Sequence, residues 1–185
     1  MFRTEVFLMD VRKLLGLLVV GLVVFSSHGQ VQAQESATIQ ALATVVSSLS
    51  ITGNQNLQFG TVTPGISKSV DKSEPGFAGE WSVVGTVGAE ITLHFTLPDS
   101  ILLVTDSTNG LPINFGPLDA SFDDGSGGGQ LAPSGTLDPN GLGTERLGAG
   151  GELTVWIGGV VFPRISQTGG DYAEDVVLSV AYTGN

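Results

Sequence analysis

From residue 39 to residue 182 the apolar side chains recur at every second position and almost nowhere at helical spacing. A period of two places successive side chains on opposite faces of a strand, so the pattern selects β-structure over helix. The segment Ile91, Leu93, Phe95 and Leu97 stands opposite Thr92, His94 and Thr96, which is the pattern of a strand with one wet face. Leu153, Val155 and Ile157 oppose Glu152, Thr154 and Trp156, and Val176, Leu178, Val180 and Tyr182 oppose Val177, Ser179 and Ala181. Shorter alternations occur at Leu57 and Phe59, at Trp81 and Val83, and at Ile39, Ala41, Ala43 and Val45.

Turn formers separate these runs: Thr52-Gly53-Asn54, Thr63-Pro64-Gly65, Glu74-Pro75-Gly76, Pro98-Asp99-Ser100, Asp138-Pro139-Asn140-Gly141 and Gly169-Gly170-Asp171. They supply a preset or positive φ where the chain reverses. Six or more short strands spaced in this way predict an all-β fold, a sandwich or barrel. The 27 glycines agree, being costly in helices and useful at bends. Residues 106–150 are dense in Gly, Pro, Asp and Ser and read as a long loop region. A short hairpin is expected there, with weak strands around 111–115 and 119–122, beside a mobile segment.

The N-terminus predicts export. Arg12 and Lys13 precede an uncharged apolar run of 12 residues, Leu14 to Phe25, and then a polar stretch ending Val31-Gln32-Ala33. Basic, apolar, then small residues at a cut site is the order of a secretory signal, here 1–33, leaving one domain at 34–185. The competing reading, an uncleaved anchor, needs about 20 apolar residues, so no stable membrane span is expected. Either Met1 or Met9 is the start; Met9 gives a signal of ordinary length. The mature chain carries 4 basic residues against 16 acidic, a net charge of −12. No basic patch is available to neutralise phosphates, which argues against nucleic acid as a partner. The location expected is periplasm, cell surface or the extracellular space.

Chemistry is sparse. There is no cysteine, which excludes disulfides and thiol catalysis, and His94 is the one histidine outside the signal. His94 falls on the polar face of its strand and reads as a solvated surface side chain. No Gly-x-Ser-x-Gly or phosphate loop occurs, so no catalytic residue, resident metal or cofactor is assigned and the chain reads as no enzyme. Asp119, Asp123 and Asp124 before a glycine run offer oxygen ligands for calcium, against the reading of a plain acidic loop; the spacing is not that of a helix–loop–helix site. Trp156 has two readings: an exposed aromatic that stacks on a sugar or marks an assembly surface, or a residue of a second buried face.

The segments Ala43-Thr44-Val45-Val46-Ser47-Ser48-Leu49-Ser50-Ile51-Thr52, Asn56-Leu57-Gln58-Phe59-Gly60-Thr61-Val62-Thr63-Pro64-Gly65 and Gly169-Gly170-Asp171-Tyr172, with the final alternating strand, resemble the DUF4402 domain family of exported bacterial proteins. More distantly they are similar to the spore-coat-U-like subunits of archaic chaperone–usher pili. The resemblance spans about residues 38–183 and is weakest in the middle loop. It implies an immunoglobulin-like β-sandwich and a fimbrial or cell-surface role, with like subunits, a periplasmic chaperone and an usher as partners. In such subunits one strand is missing and a neighbour's N-terminal segment fills its place by strand addition. Here the donor segment would be Ile39, Ala41, Ala43 and Val45, and the chain stops three residues after Tyr182. The alternative is that 38–46 is the domain's own first strand. Set against the pilin reading, a soluble periplasmic or secreted module binding a glycan or calcium remains the other expectation.

Overall fold

The computed structural model describes Gln40 and residues 48–184. The signal expected at 1–33 and the expected donor residues Ile39, Ala41, Ala43 and Val45 lie outside the described residues. The chain divides into two units, Met1–Ala43 and Thr44–Asn185, and the second contains the whole described core.

The second unit is built from thirteen strands: β1 (Ser50–Gln55), β2 (Lys68–Val70), β3 (Gly79–Val84), β4 (Glu90–Thr96), β5 (Ser100–Leu103), β6 (Asp106–Asn114), β7 (Ala120–Asp123), β8 (Gly135–Leu137), β9 (Leu142–Arg146), β10 (Glu152–Ile157), β11 (Gly159–Val161), β12 (Tyr172–Ala173) and β13 (Val177–Tyr182). The strand pairs are antiparallel. One sheet has the order β1-β3-β10-β7-β8, a second β12-β5-β6-β11-β2, and a third β13-β4-β9. The fold is the expected β-sandwich. Val83, Leu153, Val155 and Ile157 from the first sheet share one core with Ile91, Leu93 and Leu178 from the third and Leu111, Ile113 and Val161 from the second.

The second and third sheets follow one another because the same two chain segments run through both. β4 leads into β5 and β12 into β13, pairing Leu103 with Tyr172 and Thr96 with Val177. β10 likewise crosses from the first sheet to the second through Gly158 and becomes β11. A side chain at Gly158 would collide with the Val70 carbonyl oxygen and stand 2.7 Å from the Lys72 nitrogen, so the corner closes only on glycine. β4 alternates as the sequence demands: Ile91, Leu93 and Phe95 are buried, while His94 and Thr96 are exposed.

Residues 106–150 are more regular than the composition suggested. They contain β6, β7, β8 and β9, and β6 alone covers nine residues. The short strands are joined by turns in which aspartate side chains cap backbone amides, as at Asp106 with Thr108 and Asp138 with Asn140. Such capping holds a chain that glycine composition alone would leave loose. Leu57 and Phe59 are not in a strand. Among the described residues no helix is long and apolar enough to cross a membrane.

The unit has two ends. At one, Gly85 donates to the Gly151 carbonyl and Gly88 to the Leu147 carbonyl, closing turns above β3, β4 and β10. At the other, beyond β11, turn 63–66 lies against turn 163–167, with Gly65 donating to the Pro163 carbonyl. The chain enters β1 at the first end, where Ser50 pairs with Val84 and the Leu49 side chain packs towards Gly85.

Candidate functional site

β1 is an edge strand: it pairs with β3 and has no strand on its other side among the described residues. β12 and β13 are edge strands of the sheets opposite. Between these edges the sandwich is open over its lower half, forming a groove of about 1520 Å³. One wall is residues 53–62, the end of β1 and the chain after it; the other is 167–176, leading through β12 to the start of β13.

The floor is apolar. Trp81, Ile101, Leu111 and Ile113 line it, and Leu57, Trp81, Ile101, Tyr172 and Val176 are partly buried residues packed on the core. Trp81 is held edge-on against Phe95, ring centroids 5.9 Å apart at 71°, which fixes the indole as a rigid platform. The wall at 167–176 is pinned from within: Tyr172 Oη donates to the Thr168 carbonyl at 2.6 Å and accepts from Gln167 Nε2 at 2.7 Å. The opposite wall is held where the Gln58 amide donates to the Phe77 carbonyl. Towards the first end the opening closes, because Tyr182 Oη accepts from the Thr86 amide at 2.8 Å beside Leu49 and Leu147.

Two strand edges with no neighbouring strand among the described residues, flanking an apolar floor, have a definite chemical competence. The edges offer backbone N–H and C=O groups in register with an added strand, and the floor offers pockets for alternate side chains.

The residues singled out in the sequence fall elsewhere. Trp156 is 5% exposed and its Nε1 donates to Glu80 Oε2 at 2.9 Å, so it belongs to a second buried face and presents no surface for stacking. The loops 71–78 and 124–134 flank that face, linked where Gln130 Nε2 donates to the Lys72 carbonyl. His94 is exposed between Ser179 and Leu142 on neighbouring strands.

The three aspartates are engaged by the protein itself. Asp119 Oδ2 accepts from the Gly116 amide at 2.7 Å. Asp123 Oδ1 accepts from the Gly125 and Gly127 amides, and Oδ2 from the Gly129 amide. Asp124 Oδ1 accepts from the Ser126 amide and hydroxyl. The Ser134 hydroxyl lies 2.6 Å from Oδ1 of both Asp123 and Asp124. These contacts make the aspartates staples of the loop. Among the described residues no group of three or more His, Cys, Asp or Glu side chains is placed to hold a metal.

A smaller concavity of about 390 Å³ lies beside this loop, lined by Glu90, Asp124, Glu145 and Arg146. Arg146 Nη2 pairs with Glu90 Oε2 at 3.1 Å. Burial, reinforced by the charge of Asp124, pushes the Glu145 carboxyl above its ordinary value.

The walls and floor of the groove come from five separate stretches of chain, so composition and periodicity do not locate it. Compared with models of protein families and with curated proteins, the chain finds no match in either.

Proposed function

We propose that this chain is an exported, non-enzymatic structural subunit, pilin-like, which joins others at the cell surface by taking a strand from a second copy into its open groove. The observation that carries the reading is the groove itself, bounded by residues 53–62 and 167–176 over an apolar floor, with no further strand beside β1 or β12 among the described residues. The donated strand is 38–46, whose Ile39, Ala41, Ala43 and Val45 alternate with Gln40, Leu42, Thr44 and Val46. Full burial of Ile39 and Val45 would contribute roughly 1.5–3 kcal/mol each, and each new ladder bond would satisfy an edge group.

Donation to a neighbour fits the chain better than folding back onto its own groove. No Gly, Pro, Asn or Asp stands between Val45 and Ile51, so nothing there supplies the φ > 0 geometry of a tight hairpin. The resemblance to the DUF4402 and spore-coat-U-like proteins supports the same reading, and adds a periplasmic chaperone and an usher as the partners that would handle an open groove before assembly.

Removing residues 34–46 is expected to abolish self-association while the remaining unit stays folded, by sedimentation and circular dichroism. A shortened chain that associates as strongly as the mature one would overturn the reading. A second reading, a secreted glycan-binding module, draws on Asn56, Gln58 and Gln167 beside Trp81 in the same groove. An oligosaccharide that raises the melting temperature where the 38–46 peptide does not would select it.

A further inference from the structure

The end of the molecule beyond β11 carries an unusual surface. Turn 63–66 and turn 163–167 are packed together, with Ile165 Cγ1 3.2 Å from where a Gly65 side chain would begin. Two large aliphatic side chains stand out from this pair: Ile66 is 63% exposed and Ile165 90% exposed. The two packed turns therefore carry both isoleucines on one knuckle of the surface. Pro64 and Pro163, next to them in the chain, line the mouth of the groove. The apolar knuckle is therefore continuous with the place where a donated strand would leave.

The geometry of donation says what covers it. A strand added beside β12–β13 in the antiparallel sense, the more stable ladder, runs opposite to β13 and so emerges at the knuckle end. Val45 then sits at the groove mouth. In the donor copy, Leu49 is already packed against its own core next to Gly85. Only Val46, Ser47 and Ser48 separate the two fixed points, and this span reaches at most about 14 Å when fully extended. Two subunit bodies that close cannot hang apart like beads. The donor's first end is drawn onto the acceptor's knuckle. That end presents its own exposed aliphatic, Val87, 62% exposed in the turn after β3. The charges match as well: exposed Arg164 lies within the knuckle, and exposed Glu152 opens β10 on the facing end.

We infer that the paired turns bearing Ile66 and Ile165 are a second contact between copies of this chain, seating the Val87 end of the copy that donates its N-terminal segment. The contact rests on the strand-donation reading and adds to it a fixed, head-to-tail junction. It sets the angle between successive subunits, because a strand alone leaves rotation about the linker free, whereas an apolar seat at its exit does not. Heterologous contact of this kind propagates into a filament unless the rotation closes a ring.

The test uses the mature chain beginning at Gln34. Three versions are compared: wild type, the double variant Ile66→Asp with Ile165→Asp, and Val87→Asp. Self-association is followed by sedimentation. Groove occupancy is followed by competition with synthetic peptide 38–46, read from the change in tryptophan fluorescence on binding, since Trp81 lies in the groove floor and Trp156 is buried away from it. Diluted to monomers, both variants are expected to melt as monomeric wild type does, because the altered side chains are exposed. They should bind the peptide with unchanged affinity and self-associate at least about tenfold more weakly. Variants that associate as tightly as wild type, while excess peptide still disperses wild-type assemblies, overturn the second contact alone. Variants that lose peptide binding as much as association also overturn it, since the knuckle would then be part of the groove wall. Wild-type assemblies that excess peptide neither disperses nor enters overturn strand donation, and this contact with it.

Discussion

Asp124 shows how single side chains hold the region that composition alone would call a loop. Its Oδ1 takes hydrogen bonds from Ser126 and Ser134, led by the Ser126 hydroxyl, and these lower the carboxyl to about 2. A carboxylate whose folded value lies below its ordinary 3.8 stabilises the fold fully above that value and loses the contribution as pH falls towards 2. Ser134→Ala is therefore expected to cost under about 1 kcal/mol at neutral pH, the site being solvent-screened, and nothing once both states are protonated. Thermal unfolding near pH 7 and near pH 2 checks this. A loss that persists undiminished in acid would contradict it. Glu145 works in the opposite sense. Burial first, and then Asp124, raise its carboxyl, so the folded state is favoured below its ordinary value of 4.5 and penalised as pH rises through the raised one. Glu145→Gln should raise the neutral-pH melting temperature slightly and leave it unchanged well below pH 4.5. At this scale the sequence was readable where one residue meets solvent, as with His94. It was silent where the partner is distant, as with Trp156 and Glu80, which are 76 positions apart.

The elements were legible in proportion to how cleanly one face is wet. β4 could be read directly from Ile91, Thr92, Leu93, His94 and Phe95, because each buried residue alternates with a polar one. β6 and β7 were legible only as weak strands around 111–115 and 119–122, and β8 and β9 not at all, since glycines and prolines interrupt the region and its turns depend on aspartate caps. Leu57 and Phe59 mislead for the converse reason. Their side chains alternate towards the core, yet that stretch forms a groove wall with no strand partner. Gly158 is the element-scale point of greatest sensitivity. Gly158→Ala should destabilise the unit by roughly 2–3 kcal/mol through collision with the Val70 carbonyl, seen as a lower urea midpoint. An unchanged midpoint would show that the corner relaxes. For the donated strand, Ala43→Pro removes a ladder donor and disfavours pairing. It should weaken self-association strongly while the melting temperature of the monomeric unit stays the same. A variant that assembles normally would place Ala43 outside the ladder.

Taken whole, the molecule has direction. The chain enters β1 at one end, and the groove opens towards the other, its mouth flanked by Pro64 and Pro163. A copy that gives at one end and receives at the other assembles head to tail, with edges that would otherwise invite indiscriminate pairing covered by a defined partner. Residues 34–185, with 16 acidic side chains to 4 basic, disfavour random association, so the proposed contacts must act through the strand and the knuckle. The sequence offered a donor segment at 38–46 through its resemblance to pilin-like subunits, but the place where the groove opens follows only once residues 53–62 and 167–176 face one another. Head-to-tail assembly of this kind requires that the groove accept residues 38–46 as a strand. The direct measurement is the melting temperature of a chain beginning at Ser47, which retains the described core, with and without the synthetic 38–46 peptide. Near saturation the peptide should raise the midpoint by about 5 °C or more, while a scrambled peptide of the same composition does nothing. No shift at millimolar peptide, or an equal shift with the scrambled sequence, would contradict the account.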